Sequence, residues 1–199
     1  MAGRLVVFEG IDGAGTETQS KLLLDYLKGR GVPAERIRYP DYDQPIGRLI
    51  HEYLHKKFDF PTEVQVMLYA ADFIKDAKKL RQWLNEGRVV IADRYITSTA
   101  AYQGFRFPVE KITGLAEMFG LPKPDIVLYL NVSAGTSIRR KMKEKKHLDR
   151  NEADREFLEK LSGFYMNLAK KETLGRWVVI DGERTKEEVF EDVKQALEL

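Results

Sequence analysis

The stretch RLVVFEGIDGAGTETQSKLLLDYLKGRG, residues 4–31, constrains the fold more than any other part of the chain. A β-branched run from Arg4 to Glu9 enters a glycine-rich turn. An amphipathic helical pattern leaves it at 18–31 and closes on glycine. Strand, tight glycine turn and helix N-terminus together aim backbone N–H groups into one hollow, and the helix dipole adds partial positive charge there. Gly10 and Gly15 stand at the spacing of the glycines in G-x-x-x-x-G-K-[ST], but Thr16 and Glu17 occupy the Lys and Ser/Thr positions. A glycine turn that only joins strand to helix is the alternative; the strand–loop–helix context favours a phosphate loop.

Four further strand-like runs follow, at 34–40 (ended by proline), 88–93, 124–132 and 176–182, separated by helical patterns at 45–58, 62–87 and 186–199. Continuous apolar strands imply a sheet buried on both faces, and strand–helix alternation implies parallel pairing. The expectation is one α/β domain over residues 1–199, a five-stranded parallel sheet with helices on both faces. The 33 basic and 31 acidic residues nearly balance, which argues against a dedicated nucleic-acid binder. Cysteine is absent, so disulfides, thiolate metal sites and cysteine nucleophiles are excluded. No apolar run approaches the ~20 residues of a membrane span, and no signal-like segment opens the chain. A cytoplasmic protein without membrane partners is expected.

Relative to the motif, Thr16 removes a positive charge from the loop and Glu17 adds a negative one. Glu17 can ligate Mg²⁺, since carboxylate oxygen suits that ion; without a metal it repels phosphates. A second group, IADRYITSTAAYQG at 91–104, follows the third strand. It places Asp93 at a strand's carboxyl end, where α/β sheets bind ligands, and gives Arg94 a bidentate fork for phosphate. A simple Asp93–Arg94 ion pair is the alternative. Ser98, Tyr102 and Gln103 supply further polar groups. The segment 139–156 is almost all charged, and reads as a flap over a site or a solvated helix. Spacing puts Arg139, Lys143 and Lys146 on one helix face. A cation from this segment, among Arg139, Arg140 and Lys143, can stand in for the loop lysine as an arginine finger does. HEYLH at 51–55 matches H-E-x-x-H, but helical periodicity turns His51 and His55 toward solvent and no third ligand is identifiable.

The chain resembles the thymidylate kinase family. FEGIDGAG…TQ is similar to that family's loop, DRYITSTAAYQG to its DRY…S…AYQG signature, KPDIVLYLNV to its fourth strand, LDRNE to its lid region and VMLYAADF to its base-stacking segment. The resemblance implies the P-loop nucleoside monophosphate kinase fold, ATP as co-substrate, Mg²⁺, dTMP as acceptor, a lid around 139–156 and a homodimer. By the same resemblance Gly10, Ile11, Asp12, Gly13, Ala14, Gly15, Thr16, Glu17 and Thr18 would wrap the ATP phosphates. Asp12 would also face the acceptor sugar. Tyr39 and Pro40 would flank the acceptor, Tyr69 would stack on its base beside Phe73, and Arg94 would hold its phosphate. Ser98, Tyr102 and Gln103 would line its sugar and base, while Asp93, with Glu17, would organise the metal. Phe73 and Tyr42 stand where the family usually carries arginine. A kinase acting on another nucleoside monophosphate, and a nucleotide-binding relative without turnover, are therefore the competing functions.

Overall fold

The structure is a computed structural model and describes residues 3–144, 151 and 154–199. Five strands, β1 (Arg4–Glu9), β2 (Ala34–Arg38), β3 (Val89–Asp93), β4 (Ile126–Asn131) and β5 (Arg176–Asp181), form one parallel sheet in the order β2-β3-β1-β4-β5. Phe8 pairs with Asp93, and Glu9 with Tyr129, so the carboxyl ends of β1, β3 and β4 finish side by side. The strand order reverses at β1, since β3 lies on one side of it and β4 on the other. Open α/β sheets bind ligands in the crevice at such a switch point.

Nine helices connect and cover the strands among the described residues: α1 (Thr16–Gly29), α2 (Pro45–Leu54), α3 (Thr62–Ile74), α4 (Ala77–Asn85), α5 (Ile96–Gln103), α6 (Val109–Met118), α7 (Ala134–Glu144), α8 (Arg155–Lys170) and α9 (Lys186–Leu197). Right-handed crossovers put α1 on one face, where it meets α9, and α4 and α8 on the other. The long helical pattern at 62–87 is two helices, broken at Lys75 and Asp76. The break is held by a cluster: the Lys75 ammonium lies 2.9 Å from Asp72 and 2.7 Å from Asp76. The core is continuous through the sheet, with Leu5, Val7, Phe8, Ile91, Val127 and Leu128 fully buried. A smaller cluster of Ile50, Tyr53 and Leu54 lies under α2. No described helix is long and apolar enough to cross a membrane.

Candidate active site

The loop after β1 is built by its glycines. Gly13 (φ 77°) and Gly15 (φ 99°) sit in the left-handed region, which side-chain-bearing residues avoid. Gly15 is the N-cap of α1 and offers no side chain to its first turn. The amides of Thr16, Glu17 and Thr18 therefore lie at a helix terminus whose geometry leaves them without intrahelical acceptors. Thr16 is buried and is a hydrogen-bonding neighbour of the Asp93 carboxylate. Glu17 is exposed at the mouth. Its carboxylate accepts from Lys21 at 2.7 Å and lies 4.0 Å from Arg38. The Lys21 hydrogen bond, with both cations, holds Glu17 below the usual carboxylate range.

Arg94 follows β3 with φ 69°, a left-handed conformation that costs a non-glycine residue about 1–2 kcal/mol. Its guanidinium donates to the Gly10 carbonyl at 2.9 Å and to Asp12 at 2.7 Å. Asp12 also accepts from the Tyr102 hydroxyl at 3.0 Å. Asp93 instead pairs with Arg36 at 2.7 Å, so the two adjacent residues serve different partners. Burial pushes the Asp93 carboxyl up, against the opposing pull of Arg94 and Arg36.

Two cavities share this wall. One, of about 200 Å³, is lined by Tyr69, Phe73, Ser98, Thr99, Gln103 and Asn151 among others. The second, of about 440 Å³, is lined by Gly13, Gly15, Thr16, Glu17, Thr18 and Asp93, with Lys21 and Arg38. Asp12, Tyr39, Pro40, Tyr42, Arg94 and Lys141 border both. Phe73 is buried, edge-on to Tyr39 at 4.8 Å and to Tyr95 at 5.6 Å. The floor of the smaller cavity is therefore aromatic at the position where the family usually has arginine. Thr99 Oγ1 and Gln103 Oε1 are buried in its wall without a hydrogen-bond partner among the described residues. Ile11 and Ala14 are buried and support the loop from beneath.

The basic segment divides. Arg139 is exposed and donates to Thr136 on its own helix at 2.8 Å. Arg140 donates to the carbonyls of Gly13 (3.2 Å) and Gly182 (2.8 Å), and Ser137 donates to the Asp12 carbonyl at 2.5 Å. These bonds dock α7 on the loop. Lys143 is exposed and lines neither cavity. Lys141 lines both, and its Cγ passes 3.4 Å from where a Cβ on Gly13 would lie. Lys145, Lys146 and Arg150 lie outside the described residues, as does most of LDRNE. Sequence reasoning counted Lys141 among the cations of the basic segment without selecting it, and passed over Thr99, Lys21 and Arg38. Of these, only the Glu17–Lys21 spacing of four was a local signal. His51 and His55 are exposed at the end of α2 and stack on each other, 4.0 Å between centroids; neither lines a cavity, although His51 lies edge-on to Tyr42 at 5.3 Å.

A parallel sheet with a glycine loop at its switch point, facing an arginine-bearing aromatic cavity, defines a P-loop phosphotransferase of the nucleoside monophosphate kinase class. The sequence profile described as Thymidylate kinase matches residues 8–193, and the chain belongs to that family. It is 30% identical over 192 residues to the thymidylate kinase of Homo sapiens, covering 96% of this chain and 88% of that one. It is 34% identical over 193 residues to that of Fervidobacterium nodosum, covering 94% and 95%. The solved thymidylate kinase of Candida albicans superposes with a TM-score of 0.77 at 25% identity, covering 99% of this chain and 92% of that one.

Proposed function

We propose that this protein transfers the γ-phosphoryl group of ATP to the phosphate of dTMP, giving dTDP and ADP, in the cytoplasm and as a homodimer. The observation that carries the reading is the shared wall: Arg94 and Lys141 each border both the loop cavity and the aromatic cavity. An oxygen of the acceptor phosphate attacks the γ-phosphorus in line, and the bond to the β,γ-bridging oxygen breaks as ADP leaves. No protein nucleophile is needed; the protein positions the two nucleotides and neutralises charge. Amides from Gly13 to Thr18 hold the donor phosphates. Arg94 holds the acceptor phosphate, Tyr69 stacks on its base, and Asp12 with Tyr102 faces its sugar. Lys141 meets the transferring group, in place of the absent loop lysine. Residues 139–156 serve as the lid of a single domain.

Mg²⁺ fits this site. Glu17 and Asp93 present carboxylate oxygens to the loop cavity, and Mg²⁺ is ordinarily held by one or two carboxylates plus substrate phosphates. Bound there, it would offset phosphate charge. Dimerisation rests on the family resemblance, with Val64 and Met67 exposed on α3 as an apolar surface to bury. The test is turnover with ATP against dTMP, dUMP, dCMP, dAMP and dGMP, with dTMP expected to be preferred. The buried Phe73 favours a second reading, relaxed discrimination among pyrimidines, which equal rates with dTMP, dUMP and dCMP would establish. No turnover with any monophosphate overturns both readings. Turnover created by Thr16→Lys would then identify a nucleotide-binding relative that has lost its chemistry.

A further inference from the structure

Glu9 ends β1, directly before the loop's first glycine, and is fully buried. None of the steps above uses it. Its Oε1 accepts from the Tyr95 N–H at 3.1 Å and the Thr97 hydroxyl at 2.5 Å. Its Oε2 accepts from the Ser98 hydroxyl at 2.6 Å and the Tyr165 hydroxyl at 2.9 Å. An ionised carboxylate offers about four lone-pair sites, so four donors saturate it. Burial pushes Glu9 up, while Arg94 and the three hydroxyls pull it back. Three of the donors belong to the start of α5 and the fourth to α8.

We infer that Glu9 is a positioning residue for the acceptor-phosphate site: it holds Arg94 in its left-handed turn and fixes the proton of Ser98. The Arg94 N–H donates to the Phe8 carbonyl at 3.0 Å, and the next N–H, of Tyr95, donates to Glu9. Both peptide groups flanking the Arg94 Cα are thus clamped by consecutive residues of β1. The guanidinium's own acceptors, the Gly10 carbonyl and Asp12, follow in the same segment. Clamp and target therefore move as one body, and the fork's direction is set before any phosphate arrives. Ser98 lines the acceptor cavity, and its single proton is committed to Glu9. Toward the cavity it presents lone pairs, which accept from a sugar hydroxyl and do not donate to a phosphate. Tyr165, stacked on Tyr129 at 5.0 Å, ties the same carboxylate to the helix that follows the basic segment.

This inference rests on the proposed role of Arg94, so Arg94→Lys is measured beside Glu9→Gln. Glu9→Gln keeps the shape but turns one oxygen into a donor facing donors. It should raise the KM for dTMP about tenfold or more and leave the KM for ATP within about twofold, a split that general loosening of the fold does not produce. If circular dichroism finds Glu9→Gln unfolded, Thr97→Val decides. It strips one donor and should raise the dTMP KM severalfold with the ATP KM unchanged. An unchanged dTMP KM in the folded variant, or equal rises for both nucleotides, overturns the role of Glu9 if Arg94→Lys raises the dTMP KM. If Arg94→Lys leaves that KM unchanged, the reading of Arg94 falls, and the role of Glu9 with it.

Discussion

Lys141→Ala is the sharpest perturbation of the proposed chemistry. Ser137 and Arg140 dock α7 on the loop, and Lys141 follows at the border of both cavities. A unit charge ~4 Å from a phosphoryl group, at the effective dielectric of a partly open site, is worth about 4 kcal/mol. Some of that attraction already exists with bound ATP and does not change the rate. If half is gained only in the transition state, about 2 kcal/mol of barrier is added and kcat falls about 30-fold. If nearly all is gained there, the fall reaches about 10³-fold, the scale of an arginine finger. The assay is steady-state turnover at saturating ATP and dTMP, with ATP affinity measured separately and expected to change little. Arg139→Ala and Lys143→Ala should each lose less, since neither side chain lines a cavity. Thr16→Lys in the Lys141→Ala background should recover about tenfold, because a lysine there would serve the same charge. A Lys141→Ala enzyme within severalfold of the parent refutes the relocation of the loop lysine to α7.

Three further outcomes are expected. Tyr69→Ala should weaken acceptor binding by roughly 1–3 kcal/mol, the worth of a base–aromatic stack, with ATP binding near normal; titration with each nucleotide checks it. Thr185→Ala removes the capping box in which Thr185 and Glu188 satisfy each other's backbone N–H at the start of α9, and should cost about 1 kcal/mol, or ~2–4 °C in a calorimetric melt. Burial raises the Glu183 carboxyl, but hydrogen bonds from Thr136 and Ser133 outweigh it and hold the group below its ordinary value. A depressed folded-state value gives stability that is present above the unfolded-chain value, near 4.3, and is lost as pH falls through the lower folded one. Glu183→Gln should therefore flatten the stability profile below about pH 4, and an unchanged acid limb would remove Glu183 from the anchoring of α7.

The three central strands, β1, β3 and β4, were legible as continuous apolar runs because they are buried along nearly their whole length. The edge strands β2 (AERIR) and β5 (RWVVID) alternate in burial and were legible from shorter β-branched signals and their turn residues. The loop was legible for a different reason: the left-handed turns at 13 and 15 are free of strain for glycine and costly for other residues. The 62–87 pattern failed at Lys75 and Asp76 because helical periodicity continues across the break, while the break itself is fixed by an ammonium among three carboxylates, Asp41, Asp72 and Asp76. The helix at 109–118 and the one at 155–170 left no comparably clean local signal. Arg94 and Tyr69 were legible through short motifs. Lys141 was not, since helical spacing says which residues share a face but not which face docks. That choice belongs to Ser137 and Arg140, whose partners are 125 and 127 positions away along the chain.

The loop's altered chemistry is understandable only when its charges are followed through space. A motif lysine sits on the loop it serves; here the loop carries Glu17, and the positive charge around the cavity comes from four other elements of the chain. Lys21 stands one turn further along α1 and Arg38 ends β2, and both lie against Glu17. Arg94, from the turn after β3, holds Asp12, and Lys141 arrives on α7. Glu17 is thereby offset by cations of the cavity wall before any metal is considered, so its presence does not by itself preclude phosphate binding. The arrangement also separates two tasks that one lysine ordinarily combines. On the proposed assignment, backbone amides and the wall cations hold the donor phosphates, while Lys141 brings the charge needed during transfer to the boundary of the two cavities. A charge at that boundary acts on the group in transit more than on ATP alone, which is the condition for raising kcat rather than tightening ground-state binding.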